Sequence, residues 1–316
     1  MNKKVKFNLG FIGAGKITSE YLKIFSQMKE VKLSAIHSRN KNKAEDLAKK
    51  YTSLNVYEDL DDMRSNEDLD LVVVAVSLES IFKIALKILD FEWKIFFEKP
   101  LGINFHEFST IKKKCLKNNK NIHIGLNRRN YFSTIKLIKY LNETTGNRFI
   151  QINDQEDTDS LFKNNIDNDI INSWMYCNSI HLIDYASFLT RGKISKIENI
   201  IPWNKGSDHV LSLLHYSSGD KVLYKAIWNE PSPWSVTINT KDIFFIKQPL
   251  EELKIIKKDS RQIINIEIPE LDTVFKPGFY NQAKEIINYL KDHNHNLVNL
   301  EEYEKTMKII RGIYAT

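Results

Sequence analysis

The first 125 residues alternate between short apolar runs and longer segments that carry apolar residues every three or four positions. The short runs predict buried β-strands, at residues 5–12, 31–36, 69–76, 93–97 and 121–125. The longer segments predict amphipathic helices, at residues 16–29, 41–51, 60–66, 78–89 and 105–118. A strict strand–helix alternation predicts a parallel, doubly wound sheet of the Rossmann type, whose strand carboxyl ends share one edge.

The pattern changes after about residue 126, where strands follow one another with fewer helices between them. Strand-like runs occur at residues 148–153, 196–201, 209–216, 221–228, 235–239, 242–246 and 263–268. Helical spacing occurs at residues 174–189, 280–291 and 300–313. This order predicts an α+β domain with a large, open and mostly antiparallel sheet. We expect a dinucleotide-binding domain at residues 1–126 and a substrate-binding and oligomerisation domain at residues 127–316, whose uncovered sheet face would form a homo-oligomer, a dimer or a tetramer.

Composition and charge exclude several classes of function. The formal net charge is +6, and the densest basic run, residues 112–114, has no interleaved aromatic residues, so we expect no nucleic-acid partner. No apolar run approaches the roughly 18 residues of a membrane span, so we expect no membrane partner. The only cysteines, Cys115 and Cys177, do not resemble a disulfide framework, and the apolar run near the N-terminus leads into glycines and not into a cleavage site. We therefore expect a cytoplasmic protein, and the histidine spacing predicts no metal site.

A glycine-rich turn follows the first predicted strand. It carries the first two glycines of the pattern G-x-G-x-x-G, and Thr18 stands where the third glycine is usual. The context is a strand before the turn and a helix after it, which favours binding of a dinucleotide pyrophosphate over a purely structural turn. The candidate cofactor contacts in this turn are Gly13, Ala14, Gly15, Lys16 and Ile17.

The end of the second predicted strand bears on the choice between NAD and NADP. An acid that binds the ribose hydroxyls is usual there, but the sequence has Ser38 and Arg39. A hydroxyl and a guanidinium suit a 2′-phosphate, so NADP(H) is favoured over NAD(H). The alternative is an arginine that faces solvent. Ala75 and Val76, at the end of the third predicted strand, are further candidate cofactor contacts.

A lysine follows the apolar run of residues 93–97, about 85 residues after the glycine turn. In a nucleotide-binding sheet this position carries its amine to the crevice where ligands bind. Glu98, Lys99 and Pro100 are therefore candidate cofactor contacts, and Lys99 is a candidate catalytic residue. The alternative is a surface lysine at the end of a strand.

Taken together, these segments resemble the Gfo/Idh/MocA oxidoreductase family, named after glucose–fructose oxidoreductase and inositol dehydrogenase. The segments that carry the resemblance are residues 10–15 (GFIGAG), 98–101 (EKPL), 125–129 (GLNRR), 181–184 (HLID) and 275–280 (FKPGFY). The resemblance implies hydride transfer between a nicotinamide and a carbinol carbon of a sugar, cyclitol or sugar nucleotide. It also implies that Lys99 contacts both the nicotinamide and the substrate hydroxyl, and that the bond between Lys99 and Pro100 is cis.

His181 is the second candidate catalytic residue. Helical spacing places it on one face with Cys177 and Asp184, and Asp184 would orient the imidazole. A histidine can exchange the substrate proton near neutral pH, although a histidine buried in the core is the alternative. The family usually has an aspartate four residues before this histidine, where the chain has Cys177, so the usual triad is incomplete. The stretch around Tyr176 and Asn178, candidate substrate contacts, is most similar to family members from surface-polysaccharide pathways.

Asn127 and Arg128 lie where the first domain is expected to end, in a segment that runs along the cleft in the family. They are candidate substrate contacts, and Arg128 or Arg129 could bind a phosphate or carboxylate or form a salt bridge between domains. The sequence therefore predicts an NAD(P)-dependent dehydrogenase or reductase that acts on CH–OH groups. A non-catalytic NAD(P)-binding regulator is the main alternative, since the aspartate is missing. A glycoside hydrolase with bound NAD is a weaker one, because no acid follows the second strand.

Overall fold

A computed structural model describes residues 6–51, 53–204 and 208–315 of the chain. The strands are β1 (Phe7–Ile12), β2 (Val31–His37), β3 (Asn55–Tyr57), β4 (Leu71–Val74), β5 (Lys94–Glu98), β6 (Ile122–Gly125), β7 (Phe149–Glu156), β8 (Ile194–Ile201), β9 (His209–Tyr216), β10 (Lys221–Trp228), β11 (Ser235–Asn239), β12 (Ile243–Lys247), β13 (Leu253–Lys257), β14 (Ile264–Ile266) and β15 (Val298–Asn299). The α-helices are α1 (Lys16–Phe25), α2 (Lys41–Ala48), α3 (Leu60–Asn66), α4 (Leu78–Ile88), α5 (Phe105–Lys117), α6 (Phe132–Glu143), α7 (Thr158–Lys163), α8 (Asn168–Asn172), α9 (Ile180–Phe188), α10 (Leu271–Val274), α11 (Phe279–Leu290) and α12 (Leu300–Tyr314). Val5, the predicted start of the first strand, lies outside the described residues.

The first of two structural units contains a seven-stranded sheet with the order β15-β6-β5-β4-β1-β2-β3. Strands β1 to β6 are parallel, and β15 adds an antiparallel edge. The strand order reverses between β1 and β4, and ligands of doubly wound sheets bind at such a switch point. The predicted Rossmann sheet is therefore confirmed, and the glycine turn and the ends of β4 and β5 lie at neighbouring positions on one edge.

The hydrophobic pattern explains this sheet. All four residues of β4 are buried, as are the last four of β5, which is typical of strands covered on both faces. Strand β3 was not predicted, because it is only three residues long and none of them is buried. A strand of that length at an edge leaves no periodic signal in the sequence.

The second unit contains an eight-stranded sheet with the order β14-β13-β12-β11-β7-β10-β9-β8. Among the described strands of this sheet, only β7 and β10 pair in parallel, so the predicted mostly antiparallel sheet is confirmed. Buried and half-buried residues alternate along β7, β9 and β10, as expected for a sheet with one face covered. Helix α9 packs against β7.

Helices α6, α7 and α8 and strand β13 of the second unit were not predicted from the sequence. Helix α6 buries Ser133 and Thr134 with Leu137 and Leu141, so polar residues interrupt its apolar stripe. The hydroxyl of Ser133 donates to a backbone carbonyl at 2.7 Å, and the hydroxyl of Thr134 donates to another at 2.8 Å. Because both hydroxyls have hydrogen-bond partners, the helix can bury them at little cost. Strand β13 is a run of only five residues that follows a turn directly, so its sequence pattern is weak.

The C-terminal part of the chain divides differently from the sequence-based boundary. Residues Met1–Asn127 and Thr273–Tyr303 form the first unit, and Arg128–Asp272 with Glu304–Thr316 form the second. A single boundary at residue 126 assigns all of the C-terminal segment to the second domain. The difference arises because α11 packs against α1, with the rings of Phe279 and Tyr21 4.9 Å apart. The order of elements in the sequence does not indicate that a C-terminal helix packs against the first domain.

No helix in the described part of the chain is long and apolar enough to span a membrane. Among the same residues, no group of three or more His, Cys, Asp or Glu side chains is arranged to hold a metal ion.

Candidate active site

The glycine turn after β1 is shaped by its first glycine. Gly13 has a φ of +106°, and its amide donates to the carbonyl oxygen of His37 at 2.8 Å. A Cβ at this position would lie 2.0 Å from the carbonyl oxygen of Ala75. Only glycine fits both the backbone conformation and this close contact.

The second glycine has a different environment. Gly15 is exposed and precedes α1, and a Cβ there would meet no atom of the described residues within 4 Å. Packing within the protein therefore does not require glycine at this position. A ligand that approaches the backbone closely does require it, so the turn fits a dinucleotide pyrophosphate held by Gly15, Lys16 and Ile17. Thr18, in place of the third glycine, is only 1% exposed and packs inside the unit.

A cavity of about 260 Å³ lies at the end of β2. Its lining residues are His37, Arg39, Asp59, Leu60, Glu79, Ser80, Lys83, Ile84 and Lys87. Arg39 donates to the hydroxyl of Ser77 at 3.1 Å, and the hydroxyl of Ser38 accepts from the amide of Asn40 at 3.1 Å. The cavity thus combines a guanidinium and amines with two carboxylates, and it adjoins the strand end where a nucleotide ribose is expected.

The two carboxylates that line this cavity, Asp59 and Glu79, were not predicted as part of the site. The prediction from the sequence covered only the residues that directly follow β2, and neither acid is among them. Asp59 caps α3, and Glu79 lies in the first turn of α4. Asp59 is paired with Lys87, which also forms an ion pair with Asp61 at 2.6 Å. Lys83 brings a further positive charge from α4. Ala75 and Val76 are half-buried after β4, and the amide of Ala75 donates to Ile12 at 2.8 Å.

Glu98 is the last residue of β5, and its carboxylate is buried inside the first unit. It accepts a hydrogen bond from Tyr21 and one of 3.3 Å from Gln282. Burial raises the pKa of Glu98 to about 7, although the bond from Tyr21 and the charge of Lys99 oppose the shift. A Cβ on Gly125, its neighbour across the sheet, would lie 2.5 Å from the carboxylate. The need for glycine at position 125, to leave room for the carboxylate of Glu98, was not predicted.

Lys99 follows directly and is half-buried at the carboxyl end of β5. The peptide bond to Pro100 is cis, as the resemblance implies. The amide of Leu101 donates to the hydroxyl of Tyr303 at 3.0 Å, which fixes the chain beyond the proline. Lys99 therefore lies on the sheet edge that carries the glycine turn, two strands away in the order β1-β4-β5.

His181 lies in the second unit, near the start of α9, and is 8% exposed. A π-helical turn, Met175–Ser179, precedes α9, so the predicted helix of residues 174–189 is not uniform. A π turn has more residues per turn than an α-helix, and the shared face of Cys177 and His181 stays a prediction. Cys177 and Tyr176 are each 2% exposed.

The predicted partner of His181, Asp184, forms a buried ion pair with Arg129. The guanidinium donates twice, at 2.7 and 2.8 Å, and Thr306 donates to the same carboxylate at 2.8 Å. Both carboxylate oxygens therefore accept strong bonds within the second unit. This geometry makes Asp184 a structural anchor, and a role in orienting His181 stays a prediction.

The remaining candidate substrate contacts also have partners inside their own units. Asn127 donates to the carbonyl oxygen of Pro277 at 3.0 Å in the first unit. In the second unit, Arg128 is 7% exposed and lies over the ring of Trp234, with 4.4 Å between the guanidinium carbon and the ring centre. The amide nitrogen of Asn178 donates to Glu156 at 2.8 Å. Their contacts with a ligand remain predictions.

Two buried acids of the second unit were missed, Asp154 and Glu156. Every second residue of β7 is buried, and the two acids follow Ile150 and Ile152 in this alternation. The predicted strand ends at residue 153 and leaves both acids out, and carboxylates are rare among buried residues. The alternation itself was the signal that could have found them.

Comparison with known proteins agrees with this architecture. Residues 7–126 match the model of the oxidoreductase family with an NAD-binding Rossmann fold, Gfo/Idh/MocA. No curated protein matches the chain. Among solved structures, a dehydrogenase from Chromobacterium violaceum is 16% identical, with a TM-score of 0.83 over 98% of this chain and 95% of that one.

Two further solved structures are of dehydrogenases with a named substrate or with bound ligands. The UDP-N-acetylglucosamine 3-dehydrogenase GnnA from Acidithiobacillus ferrooxidans is 13% identical, with a TM-score of 0.77 over 98% of this chain and 97% of that one. The WlbA dehydrogenase from Bordetella pertussis, in complex with NADH and UDP-GlcNAcA, is 14% identical, with a TM-score of 0.76 over 98% and 95%. At these identities the likeness shows a shared fold along nearly the whole chain.

Proposed function

We propose, on the premise that residues 7–126 belong to the Gfo/Idh/MocA family of NAD-binding oxidoreductases, that this chain is an NAD(P)-dependent dehydrogenase or reductase. It would act on a CH–OH or keto carbon of a sugar, a sugar nucleotide or a cyclitol. The observation that carries the proposal is Lys99 at the carboxyl end of β5, on the edge where the glycine turn offers room for a dinucleotide.

In this proposal Lys99 and His181 carry the chemistry. A bound nicotinamide would donate or accept the hydride. The ammonium of Lys99 would orient the reacting oxygen and stabilise the negative charge that develops on it. His181 would take the hydroxyl proton in oxidation and return it in reduction, a role suited to an imidazole. Asn127, Arg128, Tyr176 and Asn178 would bind the rest of the substrate.

The proposed substrate class includes sugar nucleotides for a specific reason. GnnA is described as acting on UDP-N-acetylglucosamine, and WlbA binds UDP-GlcNAcA. Both share the fold over nearly the whole of this chain. The same class fits the resemblance of the sequence around His181 to members from surface-polysaccharide pathways, and it makes UDP-sugars the first compounds to test.

The proposed cofactor is NADP(H) in preference to NAD(H). Ser38 and Arg39 follow β2, and Lys83 adds positive charge to the cavity beside them. Glu79 supplies negative charge, which lowers the preference for a phosphate. Calorimetry would test this choice: Arg39→Ala should weaken NADP binding at least tenfold and leave NAD binding nearly unchanged. Equal losses for both dinucleotides would contradict the preference.

The activity itself is tested by turnover of reduced nicotinamide with a panel of UDP-sugars, sugars and cyclitols. Lys99→Met should lower kcat by about 10²-fold or more, since it removes the charge that stabilises the alkoxide. Lys94→Met, at the other end of β5, is the matched control and should keep wild-type turnover. Equal activity in Lys99→Met and the control would show that the role assigned to Lys99 is wrong.

The second candidate function is a non-catalytic NAD(P)-binding regulator. It is favoured by one observation, the thiol of Cys177 where the family usually has a carboxylate. Tight dinucleotide binding without turnover across the whole panel would support it. The glycoside hydrolase alternative would instead release a free sugar from a glycoside without net consumption of cofactor.

We also propose that the half-covered face of the second sheet joins two or more copies of this chain. Leu211, Leu213 and Leu223 alternate with buried residues on β9 and β10 and are only half-buried. Such a row of leucines is costly to leave in water. Sedimentation of wild type and Leu213→Lys would test this, and a monomeric wild type would refute it. Cys115 and Cys177 are buried and form no disulfide among the described residues, and we propose a cytoplasmic location.

A further inference from the structure

Two carboxyl side chains from β7 lie buried on the same face of the second sheet. Asp154 is 1% exposed and Glu156 is 2% exposed, and they are two residues apart on one strand. Residues at this spacing project from the same face. Two neighbouring carboxyl groups away from water do not both ionise readily, because each charge is poorly solvated and repels the other.

Glu156 is surrounded by hydrogen-bond donors from one short segment. Its Oε2 accepts from the indole of Trp174 at 2.6 Å and from the amide of Asn178 at 2.8 Å, and its Oε1 accepts from the hydroxyl of Ser179 at 3.1 Å. Two N–H donors occupy Oε2, so that oxygen has no place for a proton. Glu156 therefore stabilises the π-helical turn as an acceptor, and Ser179 lies two residues before His181.

Asp154 is bound differently. Its Oδ2 accepts from the hydroxyl of Tyr224 at 2.7 Å, and that hydroxyl lies 2.9 Å from the hydroxyl of Tyr314. Its Oδ1 is buried and has no hydrogen-bond partner in the part of the chain that the structure describes. A buried oxygen in that state is costly, but a proton on it would make it a donor. Glu156, on the same face, is the neighbouring acceptor.

The charged groups around the pair act in both directions. Burial raises the pKa of both acids, and the charge of Asp154 raises the pKa of Glu156 further. The bond from Tyr224 and the positive charge of Arg128 oppose the shift at Asp154. The donors on Glu156 oppose its shift in the same way.

We propose that Asp154 and Glu156 share one proton, and that this acid pair fixes the turn Met175–Ser179 so that Glu156 is a positioning residue for His181. The second part rests on the proposed function, because only in that reaction does the place of His181 matter. The first part does not depend on any activity. The two parts are tested separately.

Infrared spectroscopy tests the shared proton. At a mildly alkaline pH, above the pKa of about 7 of Glu98, wild type should still show the carbonyl stretch of a protonated carboxyl group. Glu156→Gln and Asp154→Asn should each lose that band, because the single remaining acid can ionise against its donors. Glu230→Gln, an exposed acid of the second unit, is the control and should keep it. Absence of the band in wild type, or its survival in both variants, would overturn the shared proton.

Steady-state kinetics test the positioning role. Glu156→Ala should lower kcat by about 10²-fold while the dissociation constant of the dinucleotide stays unchanged, since a small displacement of a reacting group has effects of this size. Glu156→Gln should restore kcat to within a few fold, because its amide oxygen accepts from Trp174 and Asn178. Its amide nitrogen can donate to Ser179.

Where Glu156→Ala does not fold, Ser179→Ala takes its place, since it removes a single contact of the pair. A kcat unchanged in the folded variant, or no rescue by glutamine, would overturn the positioning role. If wild type turns over no substrate, the proposed function fails, and the infrared result still decides the shared proton.

Discussion

Replacing Asp184 with asparagine should destabilise the second unit strongly, because it leaves the charge of Arg129 buried without a counter-charge. The two side chains are 7% and 2% exposed, and the guanidinium makes two bonds to the carboxylate. Removal of one partner of such a buried pair costs about 3–5 kcal/mol. That is a large part of the roughly 5–15 kcal/mol by which a folded protein is stable.

The assay is urea unfolding followed by fluorescence and circular dichroism, with Arg129→Met and the double variant in a thermodynamic cycle. The double variant should be more stable than Asp184→Asn alone, because no charge is then buried. Asp46→Asn is the control. Its ion pair with Lys49 is 2.9 Å long but exposed, so its loss should change stability by less than about 0.5 kcal/mol.

A cost below about 1 kcal/mol for Asp184→Asn, with an unchanged denaturant slope, would refute this reasoning. The same variant also separates two roles of Asp184. If it unfolds easily but keeps the pH profile of kcat where it is folded, the aspartate is structural. If it is stable and the profile shifts, the orienting role predicted from the sequence is favoured.

Three further predictions concern other sites. Gly13→Ala should lower the melting temperature, since a Cβ would lie 2.0 Å from a carbonyl oxygen, whereas Gly15→Ala should keep it and weaken dinucleotide binding at least tenfold by calorimetry. The pKa of Glu98 is raised to about 7 in the folded state, so the folded protein binds this proton more tightly than the unfolded chain does. The free energy of unfolding should therefore fall as the pH rises from about 4.5 to 7. Glu98→Gln should flatten this pH dependence, and an unchanged pH dependence in the variant would contradict the prediction. The pKa of the buried Lys247 is lowered to about 7, so the free energy of unfolding should fall as the pH drops from about 10.5 towards 7. Lys247→Met should abolish this part of the pH dependence. Denaturation at a series of pH values measures it.

Much of the fold could be predicted because burial leaves periodic marks on the chain. Strands β4 and β5 are continuous apolar runs, and β9 and β10 alternate in step with their covered face. The elements that were missed lack such marks. Strand β3 is too short, and α6 buries two hydroxyl side chains that satisfy their own hydrogen bonds within the unit.

The candidate site was predictable in part for a related reason. Glycines, and a lysine at a strand end, are local signals, since the turn geometry and the sheet edge follow from neighbours in sequence. The partners of charged side chains are not local. Arg129 meets Asp184 55 residues away, and Tyr21 meets Glu98 77 residues away.

The sequence by itself determined the Rossmann sheet, the antiparallel second sheet, the resemblance of residues 7–126 to an NAD-binding oxidoreductase family and the position of Lys99 at a strand end. Only the tertiary structure decided which acids are paired and which are buried. It placed Asp184 on Arg129, surrounded Glu156 with the donors of the turn before His181, and returned α11 to the first unit. The physical reason is that periodicity records contact with a core, whereas charge pairing depends on which distant segments the folded chain brings within hydrogen-bond distance.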